Sequence, residues 1–146
     1  MLKSDKDITL LLVRIMTGVV FLSEGIQKFI FPDVLGIGRF EKIGVRFPEF
    51  TANLVGVTEI TCAICIIIGL FSKYATIPLL LIIIFAFEIT KYDIFTQHGF
   101  WKFMHESRTD WSMFVGIIII MTIGSGKFSF EYILTNYLKK RTKKFV

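Results

Sequence analysis

Apolar residues run along the chain in four blocks, at 8–30, 51–70, 74–94 and 109–123, separated by two long mixed connections and one short turn. About 20 mostly apolar residues are enough for a helix to cross the hydrocarbon core of a bilayer. The fourth block is short and reaches that length by borrowing a turn at each end or by tilting little. Pro32 closes the first block, and Gly69-Leu70-Phe71-Ser72-Lys73 divides the second from the third. Pro78 falls early in the third block, in its first turn or so, where a missing N–H does little harm. The pattern predicts an all-α fold, a transmembrane four-helix bundle.

The connections are patterned too. Between Pro32 and Pro48, Gly36, Gly38 and Gly44 alternate with apolar residues and with Arg39, Glu41, Lys42 and Arg46. That is too charged to cross a membrane and too apolar for a free linker, so it predicts an interfacial or re-entrant segment over the bundle. Residues 95–108 carry Phe95, Phe100, Trp101 and Phe103, which suits a second interfacial connection with aromatic anchors. After Gly124-Ser125-Gly126, Ser129 is a candidate N-cap for an amphipathic helix with Ile133, Leu134, Tyr137 and Leu138 on one face. The segment 128–146 is expected to lie on the cytoplasmic surface.

Composition narrows the class. With 146 residues, 53% of them hydrophobic and 20% charged, the chain reads as a single membrane domain over 1–146. The net charge of +5 raises nucleic acid as a partner, but Lys139, Lys140, Arg141, Lys143 and Lys144 follow an apolar region directly and no binding motif accompanies them. A positive-inside anchor accounts for that cluster, and no nucleic-acid partner is expected. The first apolar block lacks a small-residue cleavage site and runs long for a signal peptide, so it is expected to be retained as a span. Lys and Arg number nine in the lead, the Lys73 turn and the tail, against six between Arg39 and Arg108 with Lys73 set aside. This bias puts both termini in the cytoplasm of a multi-pass protein of the cell (inner) membrane, with both long connections outside.

Charges inside the blocks change the picture most. At ~100° per residue, Arg14, Gly18, Phe21, Gly25 and Lys28 fall near one line of the first helix, with Glu24 to one side. Glu59 shares a face with Gly56 and Ala63, and Glu88 and Lys91 share the far end of the third block. At ~1.5 Å per residue, Glu24, Glu59 and Glu88 lie ~9–12 Å below the outer ends of their helices, with Lys28 and Lys91 about one turn above. The expected result is an intramembrane polar pocket of Glu24, Lys28, Glu59, Glu88 and Lys91, with Arg39, Arg108 and Asp110 at its mouth. Arg14 stands apart near the cytoplasmic end, where it can snorkel or hold a different partner. Such a nearly neutral network is either a ligand or proton site or a purely structural one.

Other motifs carry less. Cys62-Ala63-Ile64-Cys65 is a CxxC, but it falls mid-span, away from the accessible, electropositive setting of a reactive pair. His98 and His105, with Glu106, are spaced unlike a ligand set, so no metal is expected. Gly124-Ser125-Gly126-Lys127 lacks the spacing of a phosphate-binding loop, and no intramembrane His is present to ligate haem.

Six stretches in order resemble the DoxX family: Arg14 to Lys28 with its Phe21-Leu22-Ser23-Glu24-Gly25 core, Gly36-Ile37-Gly38-Arg39-Phe40, Gly56-Val57-Thr58-Glu59, Gly69-Leu70-Phe71-Ser72-Lys73, Arg108-Thr109-Asp110-Trp111-Ser112-Met113 and Gly124-Ser125-Gly126-Lys127-Phe128-Ser129. Together they cover the chain from Ile8 to about Leu134. The resemblance implies a four-helix integral membrane protein related to the small membrane subunits of a thiosulfate:quinone oxidoreductase and to a membrane component associated with oxidative-stress enzymes. It assigns no catalytic residue.

Two functional classes follow, with a third beside them. The first is a subunit or partner of a membrane redox system whose pocket takes a quinone headgroup, the electron-carrying cofactor belonging to a partner enzyme or being the quinone itself. The second is a small proton-linked permease, and the third a non-catalytic scaffold. Expected partners are the lipid bilayer, a redox-enzyme subunit and a second copy of the chain.

Overall fold

The computed structural model describes residues 2–142, which are helical with no strand among them. Lys143 and Lys144, two of the five residues of the expected basic cluster, lie outside the described residues. Helix α1 (Leu2–Ile30) takes in the first apolar block and most of the polar lead before it. A six-residue helix, α2 (Ile37–Lys42), stands in the first connection, and α3 (Pro48–Ile68) carries the second block with Pro48 in its first turn. Helix α4 (Ser72–Ala86) passes without a break into a π-helical turn, Phe87–Lys91, and then into α5 (Tyr92–Ile123). Because α4 begins at Ser72, Pro78 falls in its second turn and not its first. The last element is α6 (Phe130–Thr142), where the Ser129 hydroxyl accepts the Tyr132 N–H at 3.2 Å as an N-cap.

Four long helices pack as a ring, α1 against α3 and α5, and α4 against α3 and α5. The α1–α3 contact is the most extensive, and small residues make it close. A Cβ on Gly25 would lie 2.8 Å from Ile60 Cγ1 and 3.0 Å from the Gly56 carbonyl oxygen; one on Gly56 would lie 2.7 Å from Phe29 Cε2. Inside the ring Phe21, Ala63, Ile66, Leu79, Ile117 and Ile120 are buried together and exclude water from the middle of the bundle.

Among the described residues three stretches are long and apolar enough to cross a membrane: Lys6–Ile30, Pro48–Ile68 and Ser72–Lys91. The apolar part of α5, 109–123, is shorter than these, yet it runs antiparallel to α4. Lys91 Nζ meets Asp110 Oδ2 at 3.1 Å at one end, and Lys73 Nζ donates to the Thr122 carbonyl at 3.3 Å at the other.

The connection expected at 95–108 is not a loop. Helix continues through it on both sides of Gly99, whose φ of 80° and ψ of 176° break the helical path. Only glycine adopts that conformation readily, so one residue suffices to turn a helical hairpin. Its aromatics serve the hairpin as much as any interface. Phe95 and Phe103 rings stand 5.7 Å apart, and Phe87 and Trp111 rings 5.3 Å apart across the arms, while Trp101 at the apex is 83% exposed.

Candidate functional site

Two polar centres occupy opposite ends of this bundle, and they differ in kind. At the end where α3 stops and α5 gives way to α6, Arg14 is 1% exposed. Its Nε donates to the Ile66 carbonyl at 2.9 Å and Nη2 to that of Ile67 at 2.8 Å, while Nη1 donates to Ser125 O at 2.6 Å and Phe128 O at 2.8 Å. The last carbonyls of a helix have no intrahelical partner, and a buried guanidinium can supply several donors in fixed geometry. Arg14 therefore does not snorkel to the surface. It stitches the end of α3 to the turn before α6, with all its hydrogen-bonding groups turned to the protein backbone.

The other end holds a cavity of about 520 Å³, walled by all four long helices and roofed by α2. Lys28 of α1 reaches across to Glu59 of α3, Nζ to Oε2 at 2.6 Å, because Gly25 and Gly56 let the two backbones approach. Glu59 is 3% exposed, so this pairing offsets the cost of removing its charge from water. On the opposite side Lys91 bonds Asp110 and also donates to the Glu106 carbonyl at 2.7 Å. Glu24 from α1 and Arg39 from α2 complete the ionic lining. The apolar part of the lining comes from Val55, Ile82, Phe85, Ile89 and Met113. A site that joins charged and apolar lining in one cavity suits a ligand that has a polar head and a greasy body.

Of the residues expected here, Glu24, Lys28, Glu59 and Lys91 line the cavity, with Arg39 in its roof and Asp110 on its α5 side. Glu88 and Arg108 do not. Glu88 matches the depth of Glu24 and Glu59, but at ~100° per residue it lies ~140° around the helix from the core residue Ile83, and it is exposed. The carboxylate that joins Glu24 and Glu59 is Asp110 instead. Arg108 is two residues from Asp110 and so ~160° around α5 from it, and it lies exposed with Nη1 3.2 Å from His105 Nε2.

Sequence reasoning put the α2 segment over the bundle with Arg39 at the pocket mouth, but missed the apolar residues that close the roof. Phe40 and Ile43, beside Arg39, cover the cavity, and their three- and four-residue spacing is a faint sign of a short amphipathic helix. It also missed Glu106 as a lining residue; outside the apolar core of the bundle, its carboxylate pairs with Lys102 at 3.2 Å, and the Lys102 hydrogen bond holds it below the ordinary carboxylate range. Cys62 and Cys65 are free thiols, partly buried against the bundle core. Among the described residues no group of three or more His, Cys, Asp and Glu side chains is arranged to hold a metal ion.

Comparison with known proteins ties this geometry to a lineage. No solved structure matches the chain. An uncharacterized membrane protein of Mycobacterium tuberculosis is 39% identical over 137 residues, which covers 90% of this chain and 84% of that protein. The sequence profile of the DoxX family matches residues 9–99, and that stretch supplies Glu24, Lys28, Arg39, Glu59 and Lys91 of the cavity and the Arg14 stitch. With spans, sequence and family profile in agreement, the protein is an integral membrane protein that belongs to the DoxX family.

Proposed function

We propose that this protein is a quinone-binding membrane subunit of a redox system in the cell (inner) membrane. In this reading α5 is a fourth span, both termini are cytoplasmic and the cavity lies in the outer half of the bilayer. The observation that carries it is the mixed charged and apolar lining of the cavity. Lys28, Arg39 and Lys91 offer donors to ring oxygens, Glu24 and Glu59 offer proton acceptors, and the apolar lining of Val55, Ile82, Phe85, Ile89 and Met113 suits a ring and its tail. Its volume of about 520 Å³ is in the ordinary range for small-molecule sites. The protein's task is then to bind, orient and protonate the ring, while electrons pass to or from a partner enzyme. The thiosulfate:quinone oxidoreductase subunits that the family resemblance implies point the same way.

The buried plug of Phe21, Leu79 and Ile117 lies between the cavity and the Arg14 end, where Arg14 is fully engaged. That favours a one-ended binding site over the through-path of a proton-linked permease. Native mass spectrometry of protein extracted in mild detergent, followed by calorimetric titration with a short-chain alkyl benzoquinone, tests the reading. Saturable binding that Arg39→Met weakens is expected. No heat of binding up to the solubility limit of the quinone, together with no quinone retained from the membrane, would overturn it.

A further inference from the structure

The ionic lining of the cavity is not uniform once its internal pairs are set aside. Lys28 is engaged with Glu59, Lys91 with Asp110, and the Glu106 carboxylate with Lys102 outside the cavity. Glu24 and Arg39 are left. Both line the cavity and both are half-buried, yet among the described residues no hydrogen bond or ion pair reaches the Glu24 carboxylate or the Arg39 guanidinium. They come from different elements, α1 and the α2 roof, and no ion pair joins them. Two half-buried, oppositely charged groups that line one cavity without pairing each lack a partner that a bound group could supply.

The hydrogen-bonding capacity of the two groups defines that group. Guanidinium only donates, and a carboxylate only accepts. The cations Lys28, Arg39 and Lys91 match the acids Glu59, Asp110 and Glu24 in number, the Glu106 carboxylate being held by Lys102. A ligand that satisfies both groups must bring an acceptor oxygen to Arg39 and a hydroxyl donor to Glu24. The oxidised quinone ring has only acceptor oxygens and would set one of them against the carboxylate. The quinol has hydroxyls that do both.

Building on the quinone-binding reading above, we infer that Glu24 and Arg39 clamp the ring from two sides and make the site selective for the quinol. Arg39 donates to one ring oxygen, Glu24 accepts from the hydroxyl on the other, and the tail lies along the Phe85 and Ile89 side of the cavity. The preference comes from a charge-assisted hydrogen bond that the oxidised ring lacks.

Calorimetric titration of the detergent-purified full chain with a decyl benzoquinone, and under argon with its quinol, tests this. The quinol is expected to bind on the order of tenfold or more tightly than the quinone, the margin typical of one hydrogen bond to a charged group. Glu24→Gln, whose amide can both donate and accept, is expected to raise quinone affinity and collapse the preference, whereas Arg39→Met weakens both forms. Equal affinities in the unmodified protein, or a preference for the quinone, would overturn the clamp and leave the quinone-binding reading standing. Binding of neither form would overturn both. An undiminished quinol preference in Glu24→Gln would remove Glu24 from the clamp, and the ratio in the unmodified protein decides the matter even if that variant does not fold.

Discussion

Replacing Arg14 with methionine keeps most of the side-chain volume but removes four hydrogen bonds from a charged donor to the Ile66, Ile67, Ser125 and Phe128 carbonyls. At the low end of ~1.5 kcal/mol for a bond to a charged group, their gross loss is about 6 kcal/mol. Against this, the variant no longer buries a guanidinium, which returns several kcal/mol. A net destabilisation of about 3 kcal/mol remains, and for a chain of this size it lowers the melting temperature by about 6–12 °C. Arg14→Lys keeps the charge but has three donors and no planar fork, so it should lose about half as much. Thermal melts in one detergent, followed by far-UV circular dichroism, give the comparison directly. A methionine variant that melts within ~2 °C of the parent would refute the stitch and make Arg14 a tolerated burial.

Three other outcomes are expected. Lys28→Met strands the buried Glu59 carboxylate and should cost about 3–5 kcal/mol, while adding Glu59→Gln to the same chain should recover most of it in the same melts. In a background with Cys62 and Cys65 replaced by alanine, Trp101→Cys at the exposed hairpin apex should react with an impermeant maleimide only from outside intact cells. Labelling from the cytoplasmic side alone would invert the proposed topology. Because Lys102 lowers the pKa of the exposed Glu106 carboxyl from 4.5, that pair's contribution is present above pH 4.5 and is lost as pH falls through the lowered value. A carboxyl NMR titration should show a Glu106 midpoint that returns upward in Lys102→Gln.

The spans of α1, α3 and α4 were legible because a membrane needs unbroken apolar runs, and Ile8, Thr51 and Tyr74 each open one. The hairpin was not. Lys102, His105, Glu106 and Arg108 carry enough charge to resemble a loop, and only the conformation of Gly99 distinguishes two helical arms from an irregular connection. Inside the cavity, helical spacing sufficed for Lys28 and Glu59, which lie on faces that α1 and α3 turn to each other through Gly25 and Gly56. Arg14 was expected to stand apart from the pocket, and it does, but its partners are backbone carbonyls, which sequence pattern does not display.

Lys91 was expected in the pocket together with Glu88, and only Lys91 reached it. On a helix of uniform pitch Lys91 lies ~80° around from Ile83, off the line that Leu79 and Ile83 point into the core. The π turn at Phe87–Lys91 contains a wider i→i+5 loop and rotates less per residue, so Lys91 comes back toward the line of Ile83. There it is 8% exposed and bonded to both Asp110 and Glu106, while Glu88 stays outward. No residue in Phe-Glu-Ile-Thr-Lys announces that change of pitch. It persists because the inward Lys91 gains two partners on α5, so the register of one helix is set by the hydrogen-bonding needs of a cation that a uniform α-helix would turn away from its carboxylate.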